Sequence, residues 1–232
     1  METKDKQSPS AFFEKYGTAL AVLVGALIIG GAFAFGQGGG SNPGAAPTAQ
    51  AVDIADVKTD TSPFVGSKNA PVTIAVWFDY QCRFCKQFET TTIQDVIRTY
   101  GDDVRIVYKD FQFLGVASND AALYSRAVWE AYPDRWEEWF TGMFAAGPDS
   151  EGTLSVSEMD TLSTGLGFDV SRLTSLRSEK RAEYQALIDA DRSEGQSFGI
   201  NGTPGTILGT QLLAGAQPFS TLQPLIEAEL GN

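Results

Sequence analysis

Two apolar runs with a helical pattern between them open the folded part of the chain. Residues 71–80, PVTIAVWFDY, and residues 104–111, VRIVYKDF, are rich in β-branched and aromatic side chains, which predicts two buried strands. Between the two runs, apolar residues recur at helical spacing from Phe84 to Tyr100, and Gly101 follows as a helix stop. The order strand, helix, strand predicts a βαβ unit with parallel strands.

A helical pattern occupies the next part of the chain, over about residues 115–198. Residues 118–132 begin with good capping residues and end before Pro133. Residues 134–147 carry an apolar stripe at the positions i, i+3, i+4, i+7 and i+8, formed by Trp136, Trp139, Phe140, Met143 and Phe144. An aromatic stripe can bind a ligand, but we expect this one to pack into the core.

The pattern changes again after the helical region. Residues 199–218, GINGTPGTILGTQLLAGAQP, contain two short apolar runs separated by Gly-Thr, which indicates a hairpin, and residues 218–230 have a helical pattern. The complete order is β-α-β, a helical insertion, then β-β-α, and it predicts one α/β domain over residues 63–232. In open α/β sheets, ligand sites lie beyond the carboxyl ends of the strands, so a functional site is expected directly after residue 80.

The N-terminal part of the chain contains a segment long enough to cross a membrane. Residues 17–35 are uncharged and almost wholly apolar, and as a helix they would extend roughly 28 Å, close to the thickness of a bilayer core. Lys4, Lys6 and Lys15 precede this segment, so we expect residues 1–16 to stay in the cytoplasm and the remainder to lie outside. A cleaved signal peptide is the alternative to this uncleaved, single-pass anchor in the cell membrane.

A Gly-, Pro- and Ala-rich segment follows the apolar segment. Residues 36–51, GQGGGSNPGAAPTAQA, contain few bulky apolar side chains and cannot bury enough surface to fold on their own. We therefore expect a flexible linker over residues 36–62, in front of the folded domain.

Composition excludes several classes of function. The 232 residues contain no histidine, which rules out Ser-His-Asp, Cys-His and His-ligated zinc chemistry. The formal net charge is −12, and no basic stripe is present, which argues against nucleic-acid binding. No motif in the chain indicates a cofactor.

Both cysteines of the chain lie in one C-x-x-C motif, Cys82 and Cys85, directly after the first predicted strand. A structural zinc site needs four ligands, and only carboxylates or a second subunit could complete this one. A disulfide across so short a loop stabilises a fold little, because the stabilisation grows with the loop that it closes. A reversible redox pair remains the best interpretation.

Redox chemistry suits the predicted position of the motif. At a helix N-terminus, free backbone N–H groups and the helix dipole stabilise a thiolate and lower the pKa of Cys82 below the free value of about 8.5. Cys82 would be an exposed nucleophile that forms a mixed disulfide, and Cys85 a more buried thiol that resolves it. An extracytoplasmic location would place the pair among proteins that form disulfides.

The motifs resemble a known family, the DsbA-like thiol–disulfide oxidoreductases of the thioredoxin superfamily. The stretch NAPVTIAVWFDYQCRFC is similar to the strand that leads into that family's active site, and GINGTPGTILGTQLLAGAQP to its proline loop and closing hairpin. The resemblance implies a thioredoxin-like fold with an inserted helical domain, here preceded by one transmembrane helix. It also implies that Cys82 is the nucleophile, Cys85 the resolving thiol, and Thr203-Pro204 a cis-proline loop whose backbone pairs with an extended substrate.

The sequence departs from the family pattern at three places. Arg83-Phe84 stands between the cysteines, where the family usually has Pro and often His; Arg83 could favour the thiolate by its charge, while Phe84 cannot donate a hydrogen bond to sulfur. Many superfamily members carry a buried acid six residues before the first cysteine, where this chain has Val76. Asp79 is the nearby acid, and it could accept a proton from Cys85 or simply cap the end of the strand.

The resulting hypothesis is a membrane-tethered, extracytoplasmic oxidoreductase that introduces disulfides into exported proteins with cysteine pairs. A membrane redox partner would then reset the pair. Two alternatives remain open at this stage: a tethered reductase or isomerase with the same site, and a thioredoxin-like binding module whose cysteines are inert.

Overall fold

A computed structural model describes residues 52–149 and 152–231 of the chain. The predicted cytoplasmic segment, membrane anchor and linker as far as residue 51 lie outside the described residues. None of the helices in the described part of the chain is long and apolar enough to cross a membrane.

The centre of the fold is a five-stranded sheet. The strands are β1 (Phe64–Gly66), β2 (Val72–Phe78), β3 (Val104–Asp110), β4 (Gly205–Leu208) and β5 (Gln211–Ala214). Their spatial order is β1-β3-β2-β4-β5, with β2 and β3 parallel and every other pair antiparallel. The predicted parallel pair and the closing hairpin are thus confirmed.

Eight α-helices surround the sheet within the described residues. They are α1 (Arg83–Phe88), α2 (Gln94–Tyr100), α3 (Val116–Ala131), α4 (Trp136–Ala146), α5 (Val156–Gly165), α6 (Val170–Glu179), α7 (Arg181–Ser197) and α8 (Phe219–Glu229). A π-helical turn, Glu89–Ile93, joins α1 to α2, so the predicted helix of residues 84–100 is continuous but locally widened. Helices α3 to α7 form the insertion between β3 and β4, as the sequence predicts.

The alternating side chains of β2 divide the apolar residues into two cores, one on each face of the sheet. Ile74, Val76 and Phe78 point into the larger core, while Ala75 and Trp77 belong to the smaller core. A strand that is buried on both faces has a continuous apolar sequence, which is why the run at 71–80 is so clear.

The aromatic stripe of α4 packs into the larger core, as expected. All five of its side chains are buried. The ring of Phe140 stacks on Trp136 with centroids 4.4 Å apart and meets Phe78 of β2 edge-on at 5.3 Å. The insertion is therefore fixed to the sheet directly next to the end of β2.

The predicted linker extends too far toward the folded domain. Val52 and Val57 are buried in the smaller core, and the Ile54 N–H donates to the Gly209 carbonyl at 2.9 Å. The assignment of residues 52–62 to the flexible linker is wrong, because these apolar side chains cover a sheet face that water would otherwise contact. Composition alone misses them, since the Gly- and Pro-rich stretch ends only just before.

A buried ion network joins β3 to the insertion. The Asp191 carboxylate of α7 pairs with Lys109 at 2.5 Å and with Arg126 of α3 at 2.5 Å. Asp110 pairs with Arg126 at 2.6 Å, and Glu194 with Lys109 at 2.9 Å. Because the cations and carboxylates compensate one another, none of these buried charges stands alone.

Candidate active site

The two cysteines lie where β2 ends and α1 begins. Cys82 is the N-cap residue of α1, and its carbonyl accepts hydrogen bonds from the N–H groups of Cys85 at 3.0 Å and Lys86 at 3.1 Å. Both cysteines are free thiols in the structure. The helix places the two side chains less than one turn apart, as a pair that must open and close a disulfide requires.

The proline loop lies directly against the first cysteine. The Thr203–Pro204 peptide bond is cis, and the Cys82 thiol donates a hydrogen bond to the Thr203 carbonyl at 3.4 Å. The structure therefore brings together the two motifs that are 121 residues apart in sequence. Their roles in binding a substrate stay a prediction.

The environment separates the acidities of the two thiols. The pKa of Cys82 is lowered to about 6, first because the Cys85 side chain donates a hydrogen bond to its sulfur, with burial opposing the change. The Thr203 hydroxyl and the N–H groups of Cys85 and Phe84 lower the Cys82 pKa further. Burial raises the pKa of Cys85 well above its ordinary value, and its contact with Cys82 raises it again. At neutral pH the pair is thus a Cys82 thiolate beside a Cys85 thiol.

Alkylation of the reduced protein is expected to report this difference. Because only the thiolate reacts, iodoacetamide should label Cys82 at a rate that rises with pH through an inflection near 6 and is level above it, while Cys85 stays unlabelled. In a Cys85→Ala variant, which lacks the strongest donor, the inflection should move toward about 8.5. Mass spectrometry after timed labelling measures both rates. An inflection near 8.5 in the unaltered protein would contradict the assignment and favour an inert pair.

Access to Cys82 is narrower than the sequence predicts. The exposed nucleophile expected at this position keeps only 7% of its surface, compared with 3% for Cys85. The Thr203 carbonyl covers the sulfur, and Tyr80, Met143 and Phe144 line the small cleft beside it. Sequence reasoning could not foresee this cover, because it comes from two distant parts of the chain.

The dipeptide between the cysteines faces solvent. The Arg83 guanidinium lies over the Phe84 ring at 4.6 Å from its centroid, and Phe84 is 45% exposed. Hydrogen bonds to sulfur, rather than the charge of Arg83, are the main causes of the lowered Cys82 pKa. The predicted tuning roles of Arg83 and Phe84 stay predictions, and the exposed Phe84 ring adds an apolar surface beside the thiol.

Asp79 makes the contacts of a structural cap. Its buried carboxylate accepts hydrogen bonds from the N–H groups of Gln81 at 2.8 Å, Phe113 at 2.9 Å and Leu114 at 3.1 Å, and from the Ser118 hydroxyl at 2.5 Å. Four donors leave the carboxylate little capacity for another partner. Its predicted role as a proton acceptor for Cys85 is untested, while its contacts match those of the alternative, a cap at the end of β2.

Sequence reasoning misses one further side chain at the site. Glu89, one turn after Cys85, is buried and accepts a hydrogen bond from the Tyr108 hydroxyl at 2.9 Å. The signal in the sequence that could have revealed Glu89 is its position as an acidic residue on the apolar face of an amphipathic helix. Within the described residues, no group of three or more His, Cys, Asp or Glu side chains is placed to hold a metal ion.

Comparisons with known proteins agree with this architecture. A family model described as Thioredoxin matches residues 58–228. Disulfide bond formation protein D of Bacillus subtilis is 25% identical over 177 residues, which cover 72% of this chain and 77% of that protein.

Two solved structures are similar in fold. Oxidised BdbD of Bacillus subtilis has a TM-score of 0.70 at 23% identity, with 78% of this chain and 99% of that chain covered. The thiol-disulfide exchange protein α-DsbA2 of Wolbachia pipientis has a TM-score of 0.67 at 22% identity, with 75% and 89% covered.

Proposed function

We propose that this chain, which belongs to the thioredoxin family and is a DsbA-like thiol–disulfide oxidoreductase, introduces disulfides into exported proteins. The observation that supports this direction most is the stabilised Cys82 thiolate at the start of α1, within reach of Cys85 and the proline loop. Stabilising the reduced form makes the disulfide form a stronger oxidant. The name of the Bacillus subtilis relative, a disulfide bond formation protein, supports the same direction.

The proposed reaction begins with Cys82 and Cys85 joined as a disulfide. A substrate thiolate attacks the Cys82 sulfur, a mixed disulfide forms, and Cys85 leaves with the electron pair of the broken bond and takes up a proton. A second substrate thiolate then attacks the substrate sulfur of the mixed disulfide. Cys82 leaves as the thiolate that its neighbours stabilise, and the substrate keeps the new disulfide.

The proline loop would hold the substrate during this exchange. The Thr203 carbonyl lies 3.4 Å from the Cys82 sulfur, so backbone groups of this loop could pair with an extended substrate strand beside the reacting atom. Exposed Phe84 would contact apolar substrate side chains next to the reacting cysteine.

The proposed location is outside the cytoplasm, at the cell membrane. The support is the uncharged apolar segment 17–35 with basic residues before it, in the part of the chain that precedes the described residues. Each cycle leaves the pair reduced, so the function also needs a membrane redox partner that accepts two electrons and restores the disulfide.

Titration of the full chain against reduced and oxidised glutathione tests the proposed direction. We expect a reduction potential between about −200 and −120 mV, the range of disulfide donors. The potential should lie below about −120 mV, the value of the strongest oxidants, because Phe84 supplies no side-chain hydrogen-bond donor to the sulfur. A matched Cys85→Ser variant should show no two-electron transition. A potential near −270 mV would refute the oxidase proposal and indicate a reductase.

A further inference from the structure

Glu89 follows the resolving cysteine by one helical turn. The Glu89 N–H donates to the Cys85 carbonyl, the i to i−4 bond of one helical turn, so the two side chains lie one above the other on the same face. Glu89 is only 5% exposed and begins the π-helical turn. Such turns occur frequently at functional sites.

Glu89 differs from the buried carboxylates of the ion network, because its partners are neutral, and it has fewer donors than Asp79, which accepts four hydrogen bonds. The Tyr108 hydroxyl donates to it at 2.9 Å and the Gln94 side-chain amide at 3.4 Å. Within the described residues, no Lys or Arg forms an ion pair with Glu89, whereas Asp110 and Asp191 are paired with cations. A buried carboxylate without a cation is costly, so its ionised form is held only weakly.

A small cavity connects Glu89 with Cys85. About 10 Å³ of it is open to the centre of a water-sized sphere, which is space for about one water molecule. Cys85, Glu89, Tyr108, Val76 and Pro204 are among the residues that line it. The thiol, the carboxyl group and the hydroxyl provide the two to four polar partners that a buried water needs.

We propose that Glu89 exchanges the proton of the Cys85 thiol through one water molecule in this cavity. The inference rests on the proposed function, because it assigns a role within the same exchange reaction. Val76, on the β2 wall of the cavity, has no group that could do this, and the Asp79 carboxylate already has four donors.

The proton balance is complete in both directions. When Cys85 closes the disulfide, its proton passes through the water to the Glu89 carboxylate. The Cys85 sulfur attacks the Cys82 sulfur of the mixed disulfide, and the partner sulfur leaves as a thiolate with the electron pair of the broken bond. When a substrate thiolate opens the disulfide, Cys85 leaves with the electron pair and takes the proton back from the Glu89 carboxylic acid. No oxidant beyond the exchanging disulfide is needed.

The acidity of Glu89 suits this task. Burial raises its pKa to about 7, against the hydrogen bonds from Tyr108 and Gln94, which lower it. The groups that face it are Tyr108 from β3, Gln94 from α2 and, at longer range, the carboxylate of Glu137 from α4, which raises the pKa. A group that exchanges protons works best when its pKa is near the working pH.

The closure step can be measured by itself in the full chain. Reduced protein is mixed with oxidised glutathione, and acid-quenched samples follow the Cys82–glutathione mixed disulfide and its unimolecular conversion to the Cys82–Cys85 disulfide. Glutathione blocks Cys82 in this intermediate, and the Cys85 pKa is well above its ordinary value, so Glu89 is the group at the site expected to titrate near 7. The closure rate should rise through an inflection near pH 7.

The variant Glu89→Gln has nearly the same shape and cannot take up the proton. We expect closure at pH 7.5 to slow by about a hundredfold or more, because general acid–base groups typically contribute about 10²–10⁴-fold, and we expect the inflection to disappear. Alkylation of Cys82 should change little. The control Glu137→Gln alters a nearby carboxyl group that does not line the cavity. It should keep the rate at pH 7.5 and an inflection, which moves slightly below pH 7 because the Glu137 charge no longer raises the Glu89 pKa.

Three results would overturn the inference. Closure in Glu89→Gln at the unaltered rate with the same inflection excludes the role. An unaltered protein whose closure shows no inflection between about pH 6 and 8 also excludes it, even where Glu89→Gln fails to fold. Failure of the unaltered protein to form or close the mixed disulfide refutes the proposed function as well, which separates the two cases.

Discussion

Replacement of Cys82 by Ser is expected to reduce disulfide exchange to the uncatalysed rate. Oxidation of a reduced, unfolded test protein, followed by loss of its free thiols, measures this. The reason is chemical: a serine hydroxyl cannot form the mixed disulfide, and its oxygen is not a stabilised anion at neutral pH, whereas the Cys82 pKa is about 6. The variant should fold normally, because the replaced atom lies at the site cleft and the serine hydroxyl can keep the hydrogen bond to the Thr203 carbonyl.

The matched variant Cys85→Ser should behave differently, although it has lost just as many thiols. Cys82 can still attack a disulfide, but nothing resolves the product, so a mixed disulfide should accumulate and appear as a shifted band on a non-reducing gel. The pair of variants distinguishes nucleophile from resolver. If Cys85→Ser were inert and Cys82→Ser accumulated the adduct, the two assigned roles would have to be exchanged.

The second large effect concerns stability rather than chemistry. Asp191→Ala is expected to lower the free energy of unfolding by about 3–5 kcal/mol, because it removes the carboxylate that Lys109 and Arg126 share. Two buried cations would lose part of their compensation at once, and the Asp110 N–H would lose its bond to Asp191. Urea unfolding, followed by tryptophan fluorescence, measures the change.

Asp189 offers the control for this variant on the same helix. Its exposed carboxylate accepts a hydrogen bond from Gln185 and forms no ion pair among the described residues. Asp189→Ala should therefore change the free energy of unfolding by no more than about 0.5 kcal/mol. A loss of less than about 1 kcal/mol for Asp191→Ala would mean that water or rearranged side chains compensate the cations, and that the network is not essential for stability.

Local patterns explain why much of the fold could be predicted. The run at 71–80 became β2, because a strand buried on both faces is apolar at nearly every position. The apolar stripe of α4 and the hairpin of β4 and β5 also arise from neighbouring residues. The cysteine site was predictable for another reason: the chain has only two cysteines, and both lie at the junction of a predicted strand and helix.

The features that were missed depend on contacts between distant residues. Strand β1 has three residues, too few to show a period, and it forms because β3 offers an open edge. The partners Lys109 and Asp191 are on different elements, and nothing near either residue in the sequence indicates the other. The cavity between Cys85 and Glu89 likewise exists only after the helix, the sheet and the insertion have packed together.

The segment of residues 52–62 determines where a stable fragment of this protein can start. The carbonyl of Lys58 accepts a hydrogen bond from the Lys109 ammonium at 2.7 Å, and the carbonyl of Thr61 accepts one from the Arg126 guanidinium at 2.9 Å. A truncation at residue 63 would remove both carbonyls and uncover the apolar face around Trp77. Proteolytic cleavage that removes this segment would thus weaken the domain, while cleavage ahead of Val52 would leave these contacts in place.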